Sequence, residues 1–365
     1  MSDEASALGA LRQRIDQLDE QIQELINERA ECAKQVAEVK LRDKSEADAV
    51  FYRPEREAQV LRRVMERNRG PLSNEEMARL FREIMSACLA LEKPLRISFL
   101  GPAGTFTQAA ALKHFGHSVN TAPVATIAEV FREVEAGAAQ YGVAPIENST
   151  EGMINHTLDM FLTSPLKICG EVQLRIHHHL LVGPGVDMSK VKRIYSHQQS
   201  LGQCRQWLDA HWPTIERVAV SSNAEAARRA AKEPDSAAIA GDMAAEQYGL
   251  TAVARNIEDR PDNTTRFLIV GRERVGRSGH DKTSILVSTK NRPGALYSLL
   301  EPFHRLGISL TRIETRPSPT GAWTYVFFID FEGHVDDPVV QQALQEISGN
   351  AVELKLLGSY PLGVL

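Results

Sequence analysis

Gly142-Val143-Ala144-Pro145-Ile146-Glu147-Asn148-Ser149-Thr150-Glu151-Gly152 is the most informative stretch of the chain, because an apolar run ends abruptly in small and polar residues. Such a pattern is typical of a strand that delivers side chains into a site at its end. Pro145 lacks a backbone donor and discourages further sheet pairing. The polar residues from Asn148 to Thr150 can bind a ligand or cap a helix that begins near Gly152. An ordinary strand-to-helix turn explains the same pattern, so both interpretations stay open at this point.

Around this stretch, short apolar strands alternate with alanine-rich helical segments, which is typical of an α/β fold. The pattern starts at Leu95 and is long enough for two lobes. The predicted strands are 96–100, 141–146, 175–182, 193–196, 237–240 and 267–271, and the predicted helices are 107–115, 127–137, 201–211 and 224–232.

The N-terminal part is predicted to be entirely helical. Apolar residues repeat in steps of three and four from Leu8 to Val39, which predicts one helix of roughly 50 Å. Because a compact domain does not need so long a helix, its apolar seam is expected to pack on a second chain. A second helix is predicted at 54–67, and Ser73 with Glu76 forms a capping box for a third helix.

The C-terminal part begins after an Arg- and Gly-rich segment without periodicity, which indicates a linker. From Thr283 the predicted order of elements is β-α-β-β-α-β, the order of a ferredoxin-like sandwich. We therefore expect an all-α unit at 1–93, a two-lobed α/β unit at 95–271, a linker at 272–282 and an α+β unit at 283–361.

The composition is that of a soluble globular protein of two or three domains. The 365 residues are 43% hydrophobic and carry a net charge of -5, so no excess of positive charge attracts nucleic acid or anionic lipid. The four cysteines are scattered, which favours a reducing cytoplasm over a disulfide framework or a zinc site. Neither export nor membrane insertion is expected, because the N-terminus is polar and no long uncharged apolar run occurs. The run His177-His178-His179 is not expected to bind a metal, since neighbouring residues on a strand point to opposite faces.

Cations at apolar positions are the first chemical feature of the helical unit. Arg29 occupies a position at which the repeat of apolar residues along the helix predicts an apolar side chain. Lys40 lies on nearly the same face of the helix. Burying both is costly unless an anion meets them. Arg12 is rotated about 100° from Arg29, so it is expected to serve a second pocket in a dimer. The alternative is a set of snorkelled cations on a solvated coiled-coil flank.

The string from Leu11-Arg12 to Glu28-Arg29, followed by Lys40 and Arg56-Glu57, resembles the all-helical chorismate mutases over nearly all of residues 8–92. In that family two three-helix chains pair, and cations from both hold the carboxylates of chorismate while it rearranges to prephenate. Fixing the compact conformer and stabilising the ether oxygen is sufficient catalysis for such a rearrangement. The resemblance implies that Arg12, Arg29 and Arg56 bind carboxylates, Lys40 the ether oxygen and Glu57 the hydroxyl.

Three positions depart from that family. Cys88 stands where a small hydroxyl residue is common, Glu92 where some members have Gln, and Arg53 where some carry an Asp directed to the substrate hydroxyl. A charged carboxylate at Glu92 would repel the ether oxygen, so we expect Glu92 to work in its protonated form, which burial favours. Mutase activity should then fall as the pH rises.

Polar clusters beside strands recur in the α/β unit. A glycine turn at 101–105 precedes a helix start, Ser196-His197-Gln198-Gln199 follows a strand, and Asn263-Thr264-Thr265-Arg266-Phe267 leads into another. Helix starts attract anions. Polar clusters at several strand ends predict one cleft between two lobes.

Together with Pro145 to Ser149, these strings resemble the signatures of prephenate dehydratase over about 96–271. The resemblance implies a two-lobed fold like that of periplasmic binding proteins. That family expels carbon dioxide and hydroxide from prephenate to give phenylpyruvate, and a positioned proton donor suffices for the departing hydroxyl. Thr265 is implied to be catalytic, Glu147 is a candidate acid or orienter, and Arg266 either meets a carboxylate or forms a structural ion pair. The implied substrate-lining residues are Thr105, Glu147, Asn148, Ser149, Ser196, Gln199, Thr265 and Arg266.

The C-terminal unit contains two strings, Asn291-Arg292-Pro293-Gly294-Ala295-Leu296 and Ile313-Glu314-Thr315-Arg316-Pro317, that resemble the ligand loops of an ACT domain. Thr315 replaces the usual Ser. In this family the domain senses phenylalanine, and without the resemblance a turn and a strand end would be the simpler interpretation. The implied effector contacts are Asn291, Gly294, Ala295, Leu296, Glu314 and Arg316.

The sequence thus predicts an enzyme that converts chorismate through prephenate to phenylpyruvate under feedback by phenylalanine. We expect no metal or organic cofactor and a cytoplasmic homodimer or higher homo-oligomer. One alternative is an amino-acid-responsive transcription regulator, which would need a basic helix-turn-helix where the chain predicts one uninterrupted helix. Another is a binding protein or inactive sensor that keeps the cleft without catalysis.

Overall fold

The structure, a computed structural model, describes residues 2–42, 50–289, 292–317 and 325–364. It contains an all-α N-terminal domain, a two-lobed α/β domain and an α+β C-terminal domain, which is the expected fold class. The α-helices are α1 (Ser2–Arg42), α2 (Pro54–Arg67), α3 (Asn74–Glu92), α4 (Phe106–Phe115), α5 (Ile127–Glu135), α6 (Asn155–Thr163), α7 (Gln198–Gln203), α8 (Arg205–His211), α9 (Asn223–Ala230), α10 (Asp242–Tyr248), α11 (Ala295–Arg305) and α12 (Pro338–Asn350). The strands are β1 (Arg96–Leu100), β2 (Asn120–Val124), β3 (Tyr141–Asn148), β4 (Gly152–Met153), β5 (Lys167–Arg175), β6 (His179–Val182), β7 (Arg193–His197), β8 (Glu216–Val220), β9 (Ser236–Ala240), β10 (Thr251–Ala254), β11 (Thr264–Gly271), β12 (Asp281–Ser288), β13 (Leu310–Pro317), β14 (Tyr325–Glu332) and β15 (Glu353–Pro361).

Helix α1 is only partly covered by the rest of its own chain. Its C-terminal half packs on α3, where Ala37 is buried. Its N-terminal half leaves large apolar side chains open, with Leu11 62% and Ile22 54% exposed. Helix α3 starts as the sequence predicts, because Ser73 Oγ accepts a hydrogen bond from the Glu76 amide at 3.1 Å.

Two sheets form the lobes of the α/β domain. The first has the order β2-β1-β3-β11-β5 with β4 beside β3, and the second has the order β10-β6-β9-β7-β8. The chain passes from the first lobe to the second through 176–178 and returns through 255–263. Both lobes therefore contribute strand ends and helix starts to the space between them.

Strand β3, which contains most of the stretch from Gly142 to Gly152, ends two residues later than the sequence predicts. It continues to Asn148 because β11 pairs with it, placing Thr265 opposite Asn148 and Arg266 opposite Glu147. The register shifts between Arg266 and Phe267, which leaves Ile146 as the extra residue of a β-bulge. Pairing with a distant strand thus overrides the break expected at a proline.

Two predicted elements are each divided in the structure. The predicted strand 175–182 is the end of β5 and the whole of β6, separated where the chain crosses between lobes. The predicted helix 201–211 is α7 followed by α8, with Cys204 between them outside helical geometry. The first interruption follows from the crossing between lobes, about which hydrophobic patterning carries no information.

The C-terminal domain packs its sheet, of order β13-β14-β12-β15, against the first lobe. Leu286, Phe328 and Leu357 share one buried cluster with Phe161 and Leu268 of that lobe. The backbones meet closely at Gly358, where a Cβ would lie 2.2 Å from the Ile168 carbonyl oxygen. Only glycine permits this contact between β15 and β5.

The N-terminal domain is docked on the opposite part of the first lobe. Tyr52 places its ring 5.4 Å from the rings of both Phe115 and Tyr141. Arg62 of α2 donates to the carbonyl oxygens of Ser278 and His280, which ties the segment before β12 to the first domain. None of the described helices is long and apolar enough to cross a membrane.

Candidate active sites

A cleft of about 450 Å³ lies between the two lobes of the α/β domain. Four of the residues predicted to bind substrate line it: Thr105, Asn148, Gln199 and Thr265. The wall also contains polar residues that were not predicted to bind substrate, among them His178, Gln203, Asn223 and Asn263.

The hydrogen bonds of Asn148 determine the orientation of the Thr265 hydroxyl. Asn148 Oδ1 accepts from the backbone amides of Thr150 and Glu151 at 3.0 and 3.1 Å. Because backbone amides can only donate, the Asn148 amide nitrogen must point the other way, where it lies 2.8 Å from both Thr265 Oγ1 and Asn263 Oδ1. Thr265 Oγ1 is therefore an acceptor toward Asn148 and keeps its own hydrogen for another partner.

The series of hydrogen bonds that begins at Asn148 continues into the second lobe. Asn263 Nδ2 donates to Gln203 Oε1 at 3.2 Å, and Gln203 Nε2 donates to Thr150 Oγ1 at 3.1 Å. His178 Nε2 lies 2.8 Å from Gln203 Oε1, so this ring nitrogen carries the hydrogen. Burial lowers the pKa of His178, which keeps the ring neutral. Gln203 could have been found from the sequence, because it lies one helical turn after Gln199.

Helix N-termini supply the positive potential of the cleft. Thr105 and Ser222 cap α4 and α9, and both caps lie in the cleft wall. The buried Ser196 does not line the cleft, and its hydroxyl donates to the Ile239 carbonyl at 2.8 Å. Asn223 is held by the His197 amide, which donates to its Oδ1 at 3.0 Å, and by its own Nδ2, which donates to Ser200 Oγ at 2.9 Å. Among the described lining residues there is no Lys or Arg, so backbone amides at the helix starts are the groups suited to an anion.

Two predicted substrate residues, Glu147 and Arg266, face away from the cleft. Successive side chains of a strand alternate, so Glu147 and Arg266 lie on the other side of the sheet from Asn148 and Thr265. Arg266 forms the structural ion pair that the sequence left open, with Nε 2.7 Å from Glu171 Oε2. Its alternative role as a carboxylate ligand in the cleft does not fit this position.

Ser149 is also outside the cleft wall. Its hydroxyl accepts from the Thr264 amide at 2.9 Å and approaches the Asp262 carbonyl at 3.3 Å. These bonds join the end of β3 to the turn before β11.

The helical domain brings together only part of the predicted chorismate pocket. Lys40 Nζ lies 3.3 Å from Glu92 Oε2 and donates to the Phe51 carbonyl at 3.1 Å. Cys88 is buried one turn before Glu92 on α3. Arg29 is half-buried, whereas Arg12 is exposed and lies about 40 Å along α1 from Lys40, given 1.5 Å per residue. One chain therefore cannot bring Arg12 to its own Lys40.

The residues predicted at the start of α2 have different surroundings. Arg53 and Arg56 are exposed, and Arg53 lies 3.8 Å from Glu55. Glu57 lies 3.1 Å from Arg82 Nε, and Arg82 donates onward to the Lys113 carbonyl of α4. Burial raises the pKa of Glu57, against the opposing effect of Arg82. In this chain Glu57 thus lies at the contact with the second domain.

The predicted effector residues lie at the start of α11 and along β13. Gly294 has φ +77° before α11, which begins with Ala295 and an exposed Leu296. Arg316 donates to both carboxylate oxygens of Asp159, at 2.8 and 3.1 Å, across the contact with the first lobe. Glu314 also points toward that lobe. Asn291 lies outside the described residues.

The three consecutive histidines have separate partners. His177 Nδ1 lies 2.7 Å from Glu258, His178 contacts Gln203, and His179 Nδ1 accepts from the Asn256 amide. The three side chains point in different directions, but not for the reason we expected. His177 and His178 lie in the segment between two strands, so the alternation of side chains along one strand does not apply to them. No group of potential metal ligands was found among the described residues.

Comparison with known proteins covers all three domains. Family models for chorismate mutase type II, prephenate dehydratase and the ACT domain match residues 11–93, 97–275 and 283–349. The bifunctional chorismate mutase/prephenate dehydratase of Stutzerimonas stutzeri is 65% identical over 99% of this chain and 100% of its own length. Its counterpart from Pseudomonas aeruginosa is 64% identical over 98% of each chain.

A solved structure resembles the last two domains. The crystal structure of prephenate dehydratase from Arthrobacter aurescens in complex with L-Phe has a TM-score of 0.68 and 38% identity, and it covers 73% of this chain and 90% of its own. With full-length relatives and matching models for every domain, the chain belongs to the family of bifunctional chorismate mutase/prephenate dehydratases.

Proposed function

We propose that this enzyme rearranges chorismate to prephenate in its N-terminal domain and converts prephenate to phenylpyruvate in the cleft between the two lobes. The observation that carries the second assignment is the Thr265 hydroxyl, which accepts from Asn148 and so has its hydrogen free for the substrate. Membership of the bifunctional family supports both activities.

The dehydratase step needs little from the protein besides position and a donor. The bond from the ring to the hydroxyl oxygen breaks as the bond to the ring carboxylate breaks, and the electron pair released with carbon dioxide completes the aromatic ring. The departing hydroxide takes a proton from solvent and leaves as water. Thr265 donates a hydrogen bond to that oxygen, and the starts of α4 and α9 hold carboxylate charge.

Replacement of Thr265 tests this assignment. Thr265→Ala is expected to lower dehydratase kcat by about 10²-fold or more, because a preorganised donor to the developing charge is lost. Thr265→Ser keeps the hydroxyl and should retain much of the activity. Mutase activity of the same variants is the internal control, since Thr265 lies in another domain. Full dehydration by Thr265→Ala would refute the role, and no dehydration by the wild type would favour the inactive-sensor alternative.

The mutase site is completed by a second copy of the chain. Arg29, Lys40, Cys88 and Glu92 come from one subunit, and Arg12 comes from the partner's α1. The exposed apolar side chains of α1 and the distance between Arg12 and Lys40 support a homodimer. Arg53, Arg56 and Glu57 would have to turn toward the pocket when substrate binds, since Arg53 and Arg56 are exposed and Glu57 contacts Arg82.

Phenylalanine is the proposed effector, bound near Gly294 to Leu296 and the β13 residues Glu314 and Arg316. The relative from Arthrobacter aurescens was solved with L-Phe, which supports this ligand. Both reactions should be assayed with and without phenylalanine. Dehydration is expected to fall with added phenylalanine, and unchanged dehydration at every concentration would contradict the regulatory role. A cytoplasmic location fits a biosynthetic enzyme of this kind.

A further inference from the structure

Two adjacent cross-strand pairs at the ends of β3 and β11 face opposite sides of the same sheet. Asn148 and Thr265 are opposite each other and face the cleft, and we call them the front pair. Glu147 and Arg266 are the next residues, also opposite each other, and face the C-terminal domain, and we call them the back pair. Any displacement of the back pair is transmitted through one peptide unit to the front pair.

The C-terminal domain binds both members of the back pair. Arg266 Nη2 lies 2.9 Å from Asp330 Oδ2 and donates to Tyr360 Oη at 3.2 Å. Arg312 of β13 lies 3.4 Å from Glu147 Oε2. The Arg266 and Asp330 side chains are only 11% and 12% exposed, so solvent screens their interaction little.

At this place β3 is bulged, whereas β11 pairs with β5 in regular register from Thr264 to Ile269. Ile146 is the extra residue of the bulge directly before the back pair. Bulges bend and twist a strand and re-aim the side chains beside them. Arg266 directly follows Thr265 on β11, and its buried guanidinium adds contacts with Glu171 of β5 and with Asp330 and Tyr360 of the C-terminal domain. The last two contacts join the position of Thr265 to the docking of the C-terminal domain.

The predicted effector strand reaches the same cluster. Arg266, Asp330, Arg312 and Glu314 line one small cavity of about 20 Å³ between the first lobe and the C-terminal domain. A shift of β13 by even a fraction of an ångström would displace the side chains of this cluster, because so small a cavity leaves no room for β13 to move without them.

We propose that Arg266 is a positioning residue of the dehydratase. Asp330 and Tyr360 of the C-terminal domain bind its guanidinium, and these contacts keep the Thr265 hydroxyl directed into the cleft. The proposal rests on the catalytic role of Thr265. It makes dehydration depend on how the C-terminal domain docks, and it makes the Arg266 cluster the contact through which that domain acts on the cleft.

Two conservative substitutions test the proposal in the full-length enzyme. Tyr360→Phe removes one hydroxyl and keeps the ring, and Asp330→Asn removes one charge and keeps the shape. Tyr360→Phe should lower dehydratase kcat by about two- to fivefold, and Asp330→Asn by about ten- to thirtyfold. These factors lie in the range observed when residues that couple two sites are replaced. KM for prephenate should change by less than about twofold, because the front pair is displaced while the anion-binding helix starts are not. Phenylalanine inhibition should weaken in both variants.

The controls separate positioning from general stability. Arg274→Gln removes an exposed ion pair to Asp336 in the same domain contact and should leave both reactions unchanged. The double variant Tyr360→Phe with Asp330→Asn should cost less than the product of the single losses, since both act on one guanidinium. Mutase kcat should stay constant throughout.

The outcomes are distinct. A lower thermal midpoint with unchanged dehydratase kcat would show that the cluster is only structural and would overturn the proposal. Equal losses in Arg274→Gln would do the same. An inactive wild type would instead refute the proposed dehydratase function.

Discussion

At the residue scale, polar side chains from both lobes meet in the cleft and are joined by hydrogen bonds. Thr265, Asn148, Gln199 and Thr105 were predicted and lie together in the cleft. Gln203 passed unnoticed, although it joins the two lobes by hydrogen bonds. Its helical spacing from Gln199 is visible in the sequence, but its hydrogen-bond partners are not, because only the approach of the other lobe supplies them.

Glu92 carries a prediction for the mutase reaction. Its carboxylate lies 3.3 Å from Lys40, so the ion pair must open before Lys40 can meet the ether oxygen of chorismate. Glu92→Gln removes the negative charge beside that oxygen, releases Lys40 from the ion pair and supplies an amide that can donate a hydrogen bond. We therefore expect mutase kcat/KM of Glu92→Gln to rise by up to about tenfold.

Initial rates of chorismate loss at a single pH, measured over a range of chorismate concentrations, check this expectation. Glu75→Gln, on the exposed start of the same helix, is the matched control and should keep the wild-type rate. A mutase kcat/KM of Glu92→Gln well below that of the wild type would contradict the role given to Glu92.

At the element scale, α1 is the helix whose stability most needs a partner. Leu11, Ile15 and Ile22 are each more than half exposed on one chain, and a long helix with such a seam is typical of a coiled-coil contact. The sequence predicted both the helix and its seam, because a period of three and four residues is a local property. Strand β3 was predicted less well, because its last two residues are ordered by β11, more than a hundred positions away.

Ile22→Asp tests the seam of α1. A charge in the apolar contact should dissociate the proposed dimer and lower mutase kcat/KM by about 10²-fold, since Arg12 of the partner subunit no longer reaches the pocket. Dehydratase activity should fall far less. Light scattering with both assays checks this, and Gln23→Glu on the same helix is the control. A monomeric wild type with full mutase activity would contradict the shared site.

At the scale of the whole molecule, the first and second domains meet at buried titratable groups. Burial lowers the pKa of His114 to about 3, and its ring lies 3.3 Å from the Tyr52 hydroxyl of the helical domain. The unfolded chain protonates this ring below about pH 6.5. Between these values the unfolded state binds more protons than the native state, so stability is lost as the pH falls, at about 1.4 kcal/mol per pH unit.

His114→Gln removes this titration. Relative to the wild type, the variant should therefore gain stability as the pH is lowered from 7 toward 4, measured as the urea midpoint of the transition that separates the first two domains. His304→Gln, at an exposed position, should follow the wild type. A stability difference between His114→Gln and the wild type that stays constant with pH would show that His114 does not contribute to acid sensitivity.

The sequence by itself determined the three kinds of domain, the long helix and the strings that carry the family resemblance, because periodicity, caps and motif residues are local properties of the chain. The tertiary structure alone decided which side of the sheet each motif residue faces. Asn148 and Glu147 are neighbours in one motif, yet one binds Thr265 in the cleft and the other contacts Arg312 of the C-terminal domain. The physical reason is that alternation along a strand has direction only after a partner strand fixes its register, and β11 comes from the far end of the domain.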